Sequence, residues 1–368
     1  MAVKNLAGNR IQGTDAERTA ESLPSGTNAG WKFLGRSTRV SSDKLQVASL
    51  GNYPYYMILA DVTTPDANNV APRFTINDDT SGTAGTNGKY SERHSYNGGT
   101  DTADKTYETD SAVLTQTLNG TGKQGFMVNY LANKLNQEKL NICETVDTDT
   151  GTGSGNTPNR RSKVWKWADN AVVTSIELLN GGSYNANGDF GTNDEVVVLG
   201  YDPTATNSEN FWEELASVEL TGTASEISSG TITAKKWLWV QFYHPEPSGA
   251  VYSSLEFNGV TSGYASRRGN NYYAGSGDSE YQGASKIRLT ESRNYSQFNN
   301  MFILNGTNEK LMYGHGIQVG DGTGAGNAPQ THIYAGKWAN SARVTSMRFY
   351  PHTGTYPSGT ILKVWGAD

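Results

Sequence analysis

The sequence predicts an all-β protein: a tandem duplication of a jelly-roll-like β-sandwich behind an extended N-terminal arm. Three observations lead there. The 368-residue chain is 35% hydrophobic and 18% charged, yet 10% aromatic, with 42 glycines; that composition suits short strands joined by polar turns. Helical periodicity is nearly absent, while short apolar runs and two-residue alternations recur. The chain also repeats itself at a fixed offset.

A shift of 171 residues aligns Glu138–Ile176 with Glu309–Met347 without a gap, and 16 of the 39 positions are identical. The octapeptide GTGSGNTP (Gly151–Pro158) returns as GTGAGNAP (Gly322–Pro329), and KWA (Lys166–Ala168) returns as Lys337–Ala339. Ala171, Val173, Thr174 and Ser175 return as Ala342, Val344, Thr345 and Ser346. Weaker echoes widen the unit: Trp31–Leu34 with Trp212–Leu215, Tyr90–Gly99 with Tyr264–Gly275, Glu195–Gly200 with Leu362–Gly366. The expected division is an arm over residues 1–30, a first sandwich over 31–203 and a second over 204–368, joined by YDPTATNSEN (Tyr201–Asn210). Trp167 and Trp338 are expected at equivalent places.

Strand signals run through both copies. Tyr55–Val62 and Lys236–Tyr243 are apolar runs of strand length, fit for a sandwich centre. Thr174, Ile176 and Leu178 alternate with Ser175 and Glu177, and Thr345, Met347 and Phe349 alternate with Ser346 and Arg348. Period two marks a half-buried strand in each copy. The octapeptide therefore precedes a strand in both. A phosphate loop needs a following helix, so a turn is the expected role. Calcium is the rival, since Asp147–Asn156 offers oxygens at alternate positions; but Asp147 and Asp149 align with Gln318 and Gly320.

Chemistry-bearing patterns are few. His94, His244, His315, His332 and His352 form no zinc spacing, and there is no nucleophile elbow. No residue stands out as catalytic, cofactor-binding or metal-ligating; the expectation is no enzyme, no cofactor and no metal. Tyr53, Tyr55, Tyr56, Tyr264, Tyr272, Tyr273 and Tyr281, with Trp237 and Trp239, are mostly expected in the core, with sugar stacking as the functional alternative. Arg160–Arg161 and Arg267–Arg268 are read as solvated, or as ion-pair partners for a neighbouring subunit. Asn119, Asn294 and Asn305 open N-x-S/T triplets that read as chance. Net charge −6 disfavours a nucleic-acid partner. No run reaches membrane-span length, and the start lacks a signal-peptide core, so neither membrane insertion nor export is expected. Cys143 is the single cysteine, which rules out an intrachain disulfide. The polar arm, where Thr14 and Glu17 could cap a short helix, is expected to lie against the sandwiches or another subunit.

The arm NLAGNRIQGTDAER (Asn5–Arg18), the loops around Tyr90–Gly99 and Tyr264–Arg267, and the closing SGTILKVWG (Ser358–Gly366) resemble β-sandwich virion structural proteins of tailed phages and other prokaryotic viruses. Those often end in a strand of the form G-S-x-x-x-L-Y-G; here Trp365 replaces the tyrosine, and the first copy reads VVLGYD (Val197–Asp202). The resemblance implies a protein made in the host cytoplasm and built into the virion. It would decorate the capsid, form a vertex or spike, belong to a tail appendage, or be a double jelly-roll capsid protein. Its partners would be itself, as a symmetric homo-oligomer and specifically a trimer, and other virion proteins. The alternative is a carbohydrate-binding adhesin or receptor-binding protein for a host-surface glycan; a glycan-cleaving enzyme is the third reading.

Overall fold

Among the described residues each copy folds into the same twelve strands, because each carries the same alternation of apolar residues between polar turns. A computed structural model describes residues 5–6, 9–10, 30–39, 44–65, 69–80, 89–97, 104–109, 111–113, 118–181, 190–203, 205–247, 249, 252–270, 277–289, 295–319, 325 and 328–368. Most of the arm with its Thr14 cap, most of the second octapeptide, Tyr272, Tyr273 and Asn294 lie outside the described residues. Within the arm, β1 (Asn5–Leu6) pairs with β2 (Asn9–Arg10). The first copy supplies β3 (Gly30–Thr38), β4 (Lys44–Ala48), β5 (Tyr55–Thr63), β6 (Pro72–Ile76), β7 (Tyr90–Tyr96), β8 (Asp104–Thr109), β9 (Ala112–Val113), β10 (Gln124–Ala132), β11 (Lys139–Asp147), β12 (Asn159–Trp167), β13 (Ser175–Asn180) and β14 (Glu195–Asp202). The second supplies β15 (Glu213–Glu219), β16 (Ile227–Ser228), β17 (Trp237–His244), β18 (Ser253–Phe257), β19 (Tyr264–Asn270), β20 (Gly277–Ala284), β21 (Ile287–Arg288), β22 (Gln297–Leu304), β23 (Lys310–Gln318), β24 (Gln330–Trp338), β25 (Met347–Pro351) and β26 (Ile361–Ala367).

The first copy's eight-stranded sheet has the order β3-β14-β5-β10-β11-β12-β7-β8 and its four-stranded sheet β4-β13-β6-β9. The second copy's sheets run β15-β26-β17-β22-β23-β24-β19-β20 and β16-β25-β18-β21, the same order strand for strand. Both are jelly-roll-like antiparallel sandwiches, each with a core between its large and small sheets. Trp167 pairs with Tyr90 and Lys139, and Trp338 with Tyr264 and Lys310, so the two tryptophans are equivalent as expected.

Polar staples repeat with the strands. Asn77 and Asn258 both have positive φ, 58° and 53°. Asn77 Oδ1 accepts from the Thr174 and Ser175 amides, and Asn258 Oδ1 from those of Thr345 and Ser346. Asparagine tolerates the left-handed region and can bond neighbouring backbone there. Asn133 and Asn305 likewise accept from the Val173 and Val344 amides. The Tyr90 and Tyr264 hydroxyls receive the Ile76 and Phe257 amides.

A third core lies between the copies. The outer faces of the large sheets meet, burying Met57, Leu59, Phe126, Val128, Val197 and Leu199 against Trp237, Trp239, Phe302, Leu304, Leu311 and Trp365. Equivalent strands approach across it, β11 toward β23 and β12 toward β24, as in a two-fold dimer. At the seam, the Lys236 ammonium sits 3.1 Å from Asp61 and 3.0 Å from Glu195. Burial pulls the Lys236 pKa down, but the two carboxylates outweigh it and leave it raised.

The first octapeptide joins β11 to β12, and its second role was invisible in the sequence. Gly151 and Gly153 take φ of 143° and 77°; a Cβ on Gly151 would come within 2.5 Å of the Asn156 amide. The turn then reaches the other copy. Lys337 Nζ donates to Gly151 O (2.8 Å), the Gly283 amide to Ser154 O (2.7 Å), and Arg267 to Pro158 O (3.1 Å). The Gly153 amide donates to Glu309 and the Thr157 hydroxyl to Glu280. Asp147 and Asp149 are occupied by the Asn159 amide and the Asn119 backbone. The loop turns a corner and clasps the second copy.

Replacing Asn258 by alanine removes four side-chain bonds and strains a positive φ, so it should lower unfolding free energy by about 2–3 kcal/mol. Asn258→Gly should recover only the backbone part, as read by urea titration. A pH titration gives a second check. Burial first, then Asp61, raises the Asp194 carboxyl to about 8. The folded state therefore holds a proton that the unfolded state has lost above its ordinary carboxylate range. Stability should fall as pH rises from about 4 to 8, by at most about 1.4 kcal/mol per unit for this group, then level off. Asp194→Asn should flatten that slope in urea titrations at stepped pH.

Candidate functional site

The two large sheets part toward one side, leaving an open cleft of about 1110 Å³. Its first-copy wall includes Trp31 and Tyr55, Tyr130 of β10, Leu140 and Ile142 of β11, Val164 of β12, and Tyr201. Asn300, Phe302, Tyr313 and His315 face it from β22 and β23. Strand alternation explains the wall: Lys139, Asn141 and Cys143 are buried, while Leu140 and Ile142 point outward at 59% and 53% exposure. Tyr55 is 53% and Val164 50% exposed. At the equivalent second-copy places stand Trp237, Leu311, Tyr313 and Ala335, each at most 5% exposed. The sheets are thus stacked off-centre: the first copy's face is open at Leu140 and Ile142, and the second copy's at Ile317, 46% exposed where Val146 of the first copy is buried.

The aromatic wall is continuous. Tyr55 meets Tyr201 at 6.2 Å, Tyr201 meets Trp31 at 5.7 Å, and Trp31 meets Tyr130 at 6.3 Å between ring centres. Polar groups are sparse. Burial raises the Glu144 carboxyl to about 7, although the Ser162 hydroxyl donates to it at 2.6 Å. His315 Nε2 lies 2.7 Å from Thr331 Oγ1, and Lys166 pairs with Glu138 at 2.8 Å on the rim. Such walls offer ring faces and aliphatic surface for binding.

Of the described tyrosines and tryptophans singled out in the sequence, only Tyr55 belongs to this cleft as an open residue. Tyr56 and Tyr264 are fully buried, and Trp237 and Trp239 belong to the core between the copies. Tyr53 packs on the first core, and Tyr281 lies half-buried on β20. The arginine pairs are not solvated: all four are buried within the chain. Arg161 stacks over Tyr96 at 4.4 Å, Arg268 is fully buried, and Arg267 pairs with Glu280 at 2.7 Å. Their side chains are drawn inward because the strands that carry them cross the clasp. Among the described residues no group of three metal-ligating side chains occurs. His244 is buried beside Phe242 and Tyr356. Asn305 is buried with its amide bound to backbone, which explains that triplet structurally. Leu140, Ile142 and Val164 were missed, because an apolar residue in strand alternation looks the same whether its face is covered or open.

No family model matches the chain, and no curated protein matches it. Among solved structures it is similar to the LG1-3 region of the laminin α2 chain, at 9% identity over 89% of this chain, with a TM-score of 0.19. It covers 64% of that structure, less than two thirds of its length. Domains LG4-5 of the mouse laminin α1 chain share 10% identity over 92% of this chain and 90% of theirs, at 0.18. Neisserial surface protein A shares 8% over 79% and 99%, at 0.14. Scores this low carry no weight, and the fold assignment rests on the sheets themselves.

Off-centre stacking has a measurable consequence. Ile142→Ser should shift unfolding free energy by no more than about 0.5 kcal/mol, as surface changes do. Tyr313→Ser, at the equivalent buried position, should cost about 3–5 kcal/mol. Urea titration of the two variants compares them directly.

Proposed function

We propose that the chain is a non-enzymatic structural protein of a prokaryotic-virus particle, acting as a symmetric homo-oligomer, specifically a trimer, beside other virion proteins. The observation that carries this reading is the commitment of both large sheets to each other. Two jelly-roll-like copies are locked into one block by a shared aromatic core, a glycine-rich clasp and buried charges. That device supplies a stiff building unit. The closing segment that resembles virion proteins forms β26, held between β15 and β17. On this reading the protein is made in the host cytoplasm and needs no cofactor, metal or nucleic acid.

The cleft favours a second reading, a carbohydrate-binding or receptor-binding protein, since Tyr55 and its neighbours present aromatic surface beside a few polar groups. Native mass spectrometry should give a mass of three chains, and antibody labelling should place the protein on purified particles. Deleting residues 1–30 should leave the sandwiches folded and weaken assembly or attachment. A monomer at every concentration, with no label on particles and glycan-array binding lost in Tyr55→Ala, would favour the second reading instead.

A further inference from the structure

The duplication supplies an internal control for the outer face of each small sheet, because register fixes which positions correspond. Ile76 pairs with Ile176 in the first copy, and Phe257 with Met347 in the second. Counting outward from these pairs, Tyr252, Ser254, Lys286, Tyr350 and His352 occupy the places of Ala71, Arg73, Ser111, Leu179 and Gly181. The first copy builds the same sheet with none of those aromatic or cationic groups at the matching places, Arg73 excepted. Ala71 and Ser111 are buried in the first copy while Tyr252, Lys286 and His352 reach the surface in the second; the sheet pairing itself forms without these groups.

What they form is a quilt of rings and cations. The Arg288 guanidinium lies 3.8 Å over the Tyr252 ring, and that ring stacks on His352 at 4.3 Å. The Lys286 ammonium lies 5.1 Å from the Tyr350 ring centre and 5.7 Å from that of Tyr252. Arg348, 5.0 Å over Tyr350, is neutralised by Glu226 and Glu256. Lys286 has no carboxylate partner among the described residues. Beneath the quilt lies Ser254, opposite Tyr350 and Arg288 in register. Ser253 bonds inward to Tyr356 and Leu255 joins the core, so Ser254 faces outward. It is fully buried, and its hydroxyl has no hydrogen-bond partner among the described residues. An unpaired buried hydroxyl costs free energy; a ligand oxygen would satisfy it.

We infer that this face binds an acidic polysaccharide, a glycan bearing uronate or sulfate groups. The anionic substituent meets Lys286 beside Arg288, the tyrosine edges line the sugar, and the covering rings part so that a ring oxygen or hydroxyl reaches the buried Ser254. Nucleic acid fits poorly. The chain carries net charge −6, Glu226 and Glu256 border the patch, and phosphate backbones call for an extended basic surface. The inference is independent of the virion assignment and uses a different surface from the cleft.

The full chain should be tested on immobilised alginate and dextran sulfate, with neutral dextran and single-stranded DNA as comparisons, at low and high salt. Retention is expected on either acidic glycan, decreasing with salt, with none on dextran and much less on DNA. Lys286→Met keeps the packed stem on the rings and removes the charge; it should weaken binding about tenfold, or about 1.4 kcal/mol. Ser254→Ala removes an orphan hydroxyl, so it should keep the melting temperature and still weaken binding. Ile142→Ser, in the cleft, should bind as the unaltered protein does. No retention on either acidic glycan, equal retention of DNA, or unchanged binding by both patch variants would overturn the proposal. Loss of binding in Ile142→Ser alone would move it to the cleft and overturn it equally.

Discussion

The face-to-face burial of the two eight-stranded sheets is the constraint on which the rest depends. An antiparallel sheet ordinarily buries one face and wets the other. Here the central strands β5 and β17 are apolar on both faces: Ile58 and Val240 point into their own sandwiches, Leu59 and Trp239 toward the other copy. That is why Tyr55–Val62 and Lys236–Tyr243 read as continuous apolar runs instead of alternations. Either copy alone would present a broad aromatic face to water, the kind of surface that marks an association site. Duplication within one chain satisfies both faces at once.

Association through apolar faces alone leaves register loose, and the polar contacts at the seam supply it. Lys236 answers Asp61 and Glu195, while the octapeptide reaches Lys337, Glu309, Arg267 and Glu280. Buried ion pairs contribute little net stability but penalise mismatched arrangements strongly, because an unpaired buried charge is costly. The same repeated Glu–Lys pair plays two parts. Lys337 is buried and Glu309 half-buried, and both hold the first copy's loop, whereas Glu138 and Lys166 stay open at the cleft rim. Off-centre stacking makes this difference, and the cleft follows from it.

How much could be read from the sequence divides along a physical line. Local and repeated features were legible: the 171-residue offset, the strand alternation before Leu178 and Phe349, the equivalence of Trp167 and Trp338, and the turn at Gly151–Pro158. Each depends on near neighbours or on comparison within the chain. The arginine pairs, the clasp and the cleft were not, because they depend on how one sandwich sits on the other. Nothing local distinguishes Leu140, which is exposed, from Leu311, which is buried, although the two align and share a type. Even a recognised motif was half read: the glycines announced a turn, but not that its carbonyls would face a second sheet.

Comparison between the copies then separates what the fold needs from what it carries. Asn77 and Asn258, Asn133 and Asn305, Tyr90 and Tyr264, Lys139 and Lys310 keep type and bonding across the duplication. In both Lys139 and Lys310 the ammonium donates to turn carbonyls, of Lys134 and Gln137 in one copy and of Asn308 and Asn340 in the other. These are staples for reversals that any jelly roll of this topology must make. Interior packing is freer, since the Tyr334 ring covers Gly314 where the first copy sets Lys163 against Cys143. Outer faces are freer still, and that freedom makes them informative. A position that changes from alanine, serine and glycine to tyrosine, lysine and histidine, while its sheet keeps the same register, is shaped by something other than folding. Ala71 and Ser111 are buried in the first copy, whereas Tyr252, Lys286 and His352 reach the surface in the second, so the second set answers to what that surface meets.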